Sequence, residues 1–147
     1  MQKFFLSLLF LLTVFFGLAQ KTRHKSNPAD DSLSRPMVKY GIASFYAKKF
    51  NGRQTANGEI FSSNNYTAAC NVLPLNTWVQ VTNTRNDKCV IVRINDRMHP
   101  RNKRLIDLAK IAAKELGFAG HGLARVKVEV LYNYHPDMAY PVKYDVH

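Results

Sequence analysis

Acidic side chains are scarce in this chain: ten Asp and Glu stand against twenty-one Lys and Arg in 147 residues, a formal charge of +11. Such an excess draws polyanions through a field that carries no base or sugar specificity, although it also serves simply to keep a protein in solution. No aromatic-basic RNA signature and no helix-turn-helix pattern accompanies the charge, so nucleic acid is not expected as a partner. The sequence lacks His-Glu-x-x-His and Cys-x-x-Cys, and its five histidines, His24, His99, His121, His135 and His147, are scattered. No metal site and no cofactor are therefore predicted. His99 follows Asn95-Asp96-Arg97 closely enough to share their surroundings, with an exposed loop position as its default.

Long apolar runs are almost absent. The one exception is Phe4 to Phe16, preceded by Lys3 and followed by Gly17-Leu18-Ala19. It falls short of the ~20 residues that span a bilayer. The polar stretch Gln20 to Ser26 follows at once. This is the composition of an export signal over residues 1–19, with cleavage expected after Ala19 and an uncleaved anchor as the alternative. No cysteine stands at the cleavage point, so a lipid-anchored form is not expected. The exported chain is expected in the periplasm or associated with the cell envelope, as a monomer without a stable membrane span. Losing the signal removes Lys3 and no acid, which leaves 20 basic and 10 acidic residues and a charge of +10. Anionic envelope polymers are the natural counterpart of that charge.

Cysteine is limited to Cys70 and Cys89, separated by 18 residues. An oxidising compartment allows the two to pair, which contributes about 3 kcal/mol in the chain-entropy model where geometry permits. The alternative is two buried thiols acting as small apolar groups.

Residues 20–37 are polar, contain Pro28 and Pro36 and show no apolar period, as expected of a flexible leader. Residues 38–132 have the length of one small domain, and 133–147, with Pro136 and Pro141, are expected to lie over the surface or fray. Within the domain, Val38, Tyr40, Ile42 and Ser44 alternate with Lys39, Gly41, Ala43 and Phe45 in the period of a strand. Asn51-Gly52 and Asn57-Gly58 mark tight turns. Trp78 to Thr82 and Cys89 to Ile94 predict a hairpin through Arg85-Asn86-Asp87-Lys88. Arg125 to Val130 places valines on one face and charges on the other. Asp107 is positioned as an N-cap before Leu108, Ile111, Ala112 and Leu116, with Gly117 as the stop, which predicts one helix. Short strands, one helix and no repeats predict a mainly β fold, a small closed or nearly closed barrel.

Several ordered segments carry a family resemblance: Gly41 to Tyr46, Gly52 to Glu59, Thr67-Ala68-Ala69, Leu73-Pro74-Leu75, Val81-Thr82-Asn83, Val92 to Arg97 and Leu105 to Leu108. Together they resemble the rare lipoprotein A (RlpA-like) family. The resemblance covers essentially all of residues 38–132. It implies a six-stranded double-psi β-barrel with one or two short helices. It also implies a septal, endolytic lytic transglycosylase that cleaves the MurNAc–GlcNAc bond of peptidoglycan glycan strands with 1,6-anhydro product formation. The alternatives are a non-catalytic, expansin-like module that binds or loosens the wall, and a structural or inhibitor-like use of the same scaffold.

By that resemblance Glu59 and Asp96 occupy the family's two acidic positions, and Cys70 stands where the family commonly has histidine. A thiol does not reproduce an imidazole's two ring nitrogens. The family's second, peptidoglycan-binding module is expected to be missing, because too little sequence follows Tyr132.

Breaking a β-1,4 glycosidic bond requires a proton on the leaving oxygen while positive charge develops at the anomeric carbon. A carboxylic acid supplies that proton and its conjugate base recovers one. Asp96 is the expected acid and base, with Glu59 orienting substrate or stabilising charge, although the two roles can be exchanged. Each acid also has a structural role open to it, as an ion pair or turn residue for Asp96 and a solvated side chain for Glu59. Arg93, Arg97, Arg101, Lys103 and Arg104 make the neighbourhood basic, suited to carboxylates of glycan or stem peptide or to plain solvation. Those cations also favour an ionised acid, against its use as a proton donor unless burial offsets them. Tyr46 offers a sugar-stacking face; Trp78 offers another, with core packing as its default.

Overall fold

The computed structural model describes residues 36–137. The export signal, nearly all of the 20–37 leader and the end of the tail lie outside the described residues. Six strands close into a barrel: β1 (Val38–Phe45), β2 (Thr67–Ala69), β3 (Trp78–Asn83), β4 (Cys89–Asp96), β5 (Ile106–Leu108) and β6 (Ala124–Val130). Around the wall the order is β1, β5, β2, β4, β3, β6, and β6 returns to β1. β1 runs parallel to β5, and β2 parallel to β4; every other pair is antiparallel. Closure leaves no strand edge without a partner.

The sequence pattern accounts for the wall. Val79 and Val81 of β3, Val90 and Val92 of β4, and Val126 and Val128 of β6 point inward and are buried, which is the period of two that a barrel interior demands. In β1 the inward face is the small one, with Ala43 fully buried and Phe45 packed against the core, while Tyr40 is exposed. The expected hairpin joins β3 to β4, pairing Thr82 with Cys89 and Val79 with Val92.

Among the described residues, 110–115 form one α-helix, α1 (Lys110–Glu115), whose Ala112 and Ala113 pack into the core with Leu116. A 3-10 turn spans Lys48–Phe50. Asp107 is not the helix N-cap: that position falls to Ala109, with no side-chain cap, and Asp107 lies in β5. The pairing of Ala43 with Ile106 and Phe45 with Leu108 holds Ile106–Leu108 extended, so the helix starts only after Ala109.

The chain also corrects the suggested disulfide. Cys70 and Cys89 are not joined. Cys70 directly follows β2, where its N–H donates to the Asp96 carbonyl at the far end of β4, while Cys89 opens β4. Seven strand steps between those levels correspond to roughly 23 Å, against a Cα separation of at most about 7 Å for a bridge. Cys70 is instead a fully buried small residue of the core.

Candidate active site

The site begins with an irregularity in β4. Its pairing with β2 runs Thr67 to Arg93 and Ala68 to Ile94, then skips to Ala69 with Asp96. Strict alternation would carry Asp96 onto the interior face with Val90, Val92 and Ile94. The extra residue breaks the period, so that Asn95 is buried and Asp96 emerges half-buried at the barrel mouth, a common use of a bulge.

A turn at Thr55–Glu59 folds over this bulge. The Thr55 N–H donates to the Glu59 carbonyl at 2.8 Å and the Gly58 N–H to the Thr55 carbonyl at 3.0 Å. Gly58 has φ of 91°, a left-handed conformation that a side chain disfavours, so the Asn57-Gly58 signal is a backbone requirement. The Asn57 N–H donates to the Asn95 carbonyl at 3.1 Å, docking the turn on β4.

Three donors converge on the Asp96 carboxylate. The Ala56 and Arg97 N–H groups reach Oδ1 at 2.9 and 2.8 Å, and the Tyr46 hydroxyl reaches Oδ2 at 2.7 Å. Burial, and then the Asp96 carboxylate beside it, push the Tyr46 phenol far above its ordinary value, so it remains a protonated donor. Its ring is held edge-on by Phe50 and in tilted contact with Phe61. The Arg97 guanidinium folds back onto the Cys70 carbonyl.

Asp96 opens onto a cleft of about 750 Å³ that Tyr46, Arg53, Arg97, His99 and Asp107 also line. Asp107 is the second carboxylate of this cleft. Sequence reasoning missed it by taking it for a cap. Arg104 clamps it through Nε at 2.8 Å and a terminal nitrogen at 2.9 Å, and its side chain is 14% exposed. The signal that could have located it is the Ile106-Asp107-Leu108 alternation, in which two buried apolar residues flank an acid turned the other way. His99 is an exposed residue of the cleft rim.

Glu59 does not line that cleft. Its carboxylate is paired with Arg93, at 2.7 Å to one oxygen and 2.9 Å to the other, and accepts from the Asn95 amide at 3.0 Å. The Asn95 amide, then Arg93 and Asn57, hold its carboxyl below the usual range against the opposing pull of burial. The other Arg93 terminal nitrogen donates to Asn76 Oδ1 at 3.0 Å, which also accepts from Asn57 at 3.1 Å. The five candidate residues thus divide into two groups bridged by one turn: Asp96, Tyr46 and Arg97 at the cleft, and Glu59 with Arg93 beside it. Trp78 is half-buried outside the core cluster, with the Arg93 guanidinium over its ring and Tyr134 at 5.0 Å between centroids. Among the described residues no group of three His, Cys, Asp or Glu side chains is arranged to hold a metal ion, and no helix is long and apolar enough to cross a membrane.

A closed six-stranded barrel of mixed parallel and antiparallel pairs, with a cleft holding two carboxylates at one mouth, defines a double-psi β-barrel domain. The family described as lytic transglycolase matches residues 38–128, and the chain belongs to it. The endolytic peptidoglycan transglycosylase RlpA of Pasteurella multocida is 57% identical over 91 residues, covering 62% of this chain and 31% of that protein. Its Haemophilus influenzae counterpart is 46% identical over 99 residues, covering 67% and 34%. The chain therefore spans about a third of the length of these relatives. Among solved structures, the apo expansin of Clavibacter michiganensis superposes with a TM-score of 0.53 at 19% identity, over 67% of this chain and 52% of that one. A Streptomyces papain inhibitor gives the same TM-score at 18% identity, over 65% and 94%. Likeness at that level concerns the fold alone.

Proposed function

We propose that this barrel is an exported endolytic lytic transglycosylase that cuts the MurNAc–GlcNAc bond of peptidoglycan in the cell envelope. The observation that carries the reading is the placement of Asp96: a carboxylate fixed by three donors, half-buried, facing a cleft large enough for a sugar. Protonated, Asp96 gives its proton to the glycosidic oxygen as the bond to the anomeric carbon breaks. The C6 hydroxyl of the same sugar then attacks that carbon, and ionised Asp96 takes the hydroxyl proton as the 1,6-anhydro ring closes. One carboxyl thus serves both half-steps and is regenerated. Tyr46 and the Ala56 and Arg97 N–H groups fix its orientation, and Asp107, clamped by Arg104, stands as the second carboxylate of the same cleft.

Purified sacculi incubated with the chain should release anhydro-muropeptides detectable by mass spectrometry. Asp96→Asn should abolish them while leaving the far-UV circular dichroism unchanged. Wild-type protein that yields none across a range of pH and strand composition overturns the reading.

A second reading, a non-catalytic module that binds or loosens the wall, is favoured by two observations: Cys70 sits sealed in the core at the family's histidine position, and Glu59 is neutralised by Arg93. It predicts protein that sediments with intact glycan and is released by salt.

A further inference from the structure

The two ends of the barrel differ in where their acids lie. Asp96 and Asp107 open at one, among Lys49, Arg53, Arg97 and Arg104. At the other, where the ends of β3 and α1 meet the start of β6, lies a cleft of about 640 Å³ whose lining includes Arg85, Arg125 and His121 and no acid. β4 runs from that end to Asp96, a separation of roughly 23 Å.

Three cations of the described residues are committed to acids: Arg93 to Glu59, Arg104 to Asp107, and Lys127 to Glu129. Among the described residues no ion pair involves Arg85 or Arg125. Their backbone is nonetheless fixed. The Thr84 N–H and hydroxyl both donate to the Arg125 carbonyl, at 3.0 and 3.2 Å. The Arg85 N–H donates to Asn83 Oδ1 at 3.0 Å, and the Asn83 and Asn86 amides both donate to the Leu116 carbonyl at the end of α1. Leu123, 56% exposed, forms an apolar lip. The site is concave and backed by fixed main chain, and each guanidinium fork matches a carboxylate or phosphate with two parallel hydrogen bonds.

We infer that this cleft is a second binding site, in which Arg85 and Arg125 hold the repeated carboxylate or phosphate groups of an anionic wall polymer. It acts independently of cleavage at Asp96 and keeps the domain on its polymer whether or not a bond is cut.

The isotope-labelled chain titrated with poly-L-glutamate and, separately, with polyphosphate of similar length tests this by amide chemical shifts. Shifts should centre on Asn83–Asn86 and Leu123–Arg125, and the polymer that binds more tightly identifies the oxyanion. Arg85→Gln with Arg125→Gln should weaken that binding about tenfold, the equivalent of one good charge-assisted contact. Arg101→Gln with Lys103→Gln removes the same charge from exposed positions in the loop before β5 and should change it less than about twofold, as expected of a screened surface charge. Both arginines are exposed, so the variant should keep a native amide spectrum. Equal weakening in the two double variants, shifts centred on the Asp96 cleft, or no binding of either polymer overturns the assignment.

Discussion

At the scale of single residues, the two acids expected to work together have different fates because their neighbours differ. Asp96 meets backbone N–H groups and a phenol, which orient it and leave it facing a cleft. Glu59 meets a guanidinium and two asparagine side chains, which make it a strut of the turn. This distinction was not legible in the sequence, where both are acids in short polar signatures; only the bulge at Asn95 separates them in space. The strut has a pH signature. A carboxyl held below its unfolded value, near 4.3, contributes stability that is fully present above that value and is lost as pH falls through the lower folded one. Denaturant midpoints of wild type and Glu59→Gln should therefore differ at pH 7 and draw together as pH falls below the unfolded value. A difference that does not diminish on acidification contradicts the assignment. At 41% side-chain exposure the effect is modest and should shrink in salt.

At the scale of elements, legibility followed strand length and burial. β6 shows its alternation plainly, with Val126, Val128 and Val130 buried. β2 spans three residues, all buried, and has no period to detect; β5 is equally short, and its Asp107 mimics a cap because apolar residues follow at helical spacing as well. These two strands are defined by their neighbours, with β5 clamped between β1 and β2. The clamp depends on Gly41. A Cβ there would lie 2.6 Å from Leu105 Cβ, and the Leu105 N–H is tied to the Ile42 carbonyl at 2.9 Å, so neither partner can retreat freely. Gly41→Ala should destabilise the fold by on the order of 1–3 kcal/mol through overpacking, read as a lower denaturant midpoint. Because Leu105 leads directly into β5, the same substitution should perturb the amide shifts of Ile106 to Leu108 more than those of the distant β3–β4 hairpin. An unchanged midpoint would show that β1 and the β5 approach have slack that the geometry denies.

At the scale of the molecule, the barrel closes through its first and last strands: β6 pairs with β1 along Val38 to Ala43 and with β3 along Val79 to Asn83. No sub-barrel remains if either is lost. Opening one seam exposes unpaired strand edges on both sides and the valine interior that all six strands share. Both clefts, at opposite ends of β4, therefore stand or fall with one cooperative unit. The chain's single tryptophan reports on this directly, since Trp78 begins β3 and touches the tail through Tyr134. Equilibrium unfolding followed by Trp78 fluorescence should coincide with the far-UV circular dichroism of the whole sheet, with one midpoint and one slope, as in a two-state domain. A fluorescence transition that precedes the loss of β signal would mean that the β3 and tail region detaches as a unit of its own. In that case the cleft of Arg85 and Arg125, built on the end of β3, would lose its backing before the Asp96 cleft did.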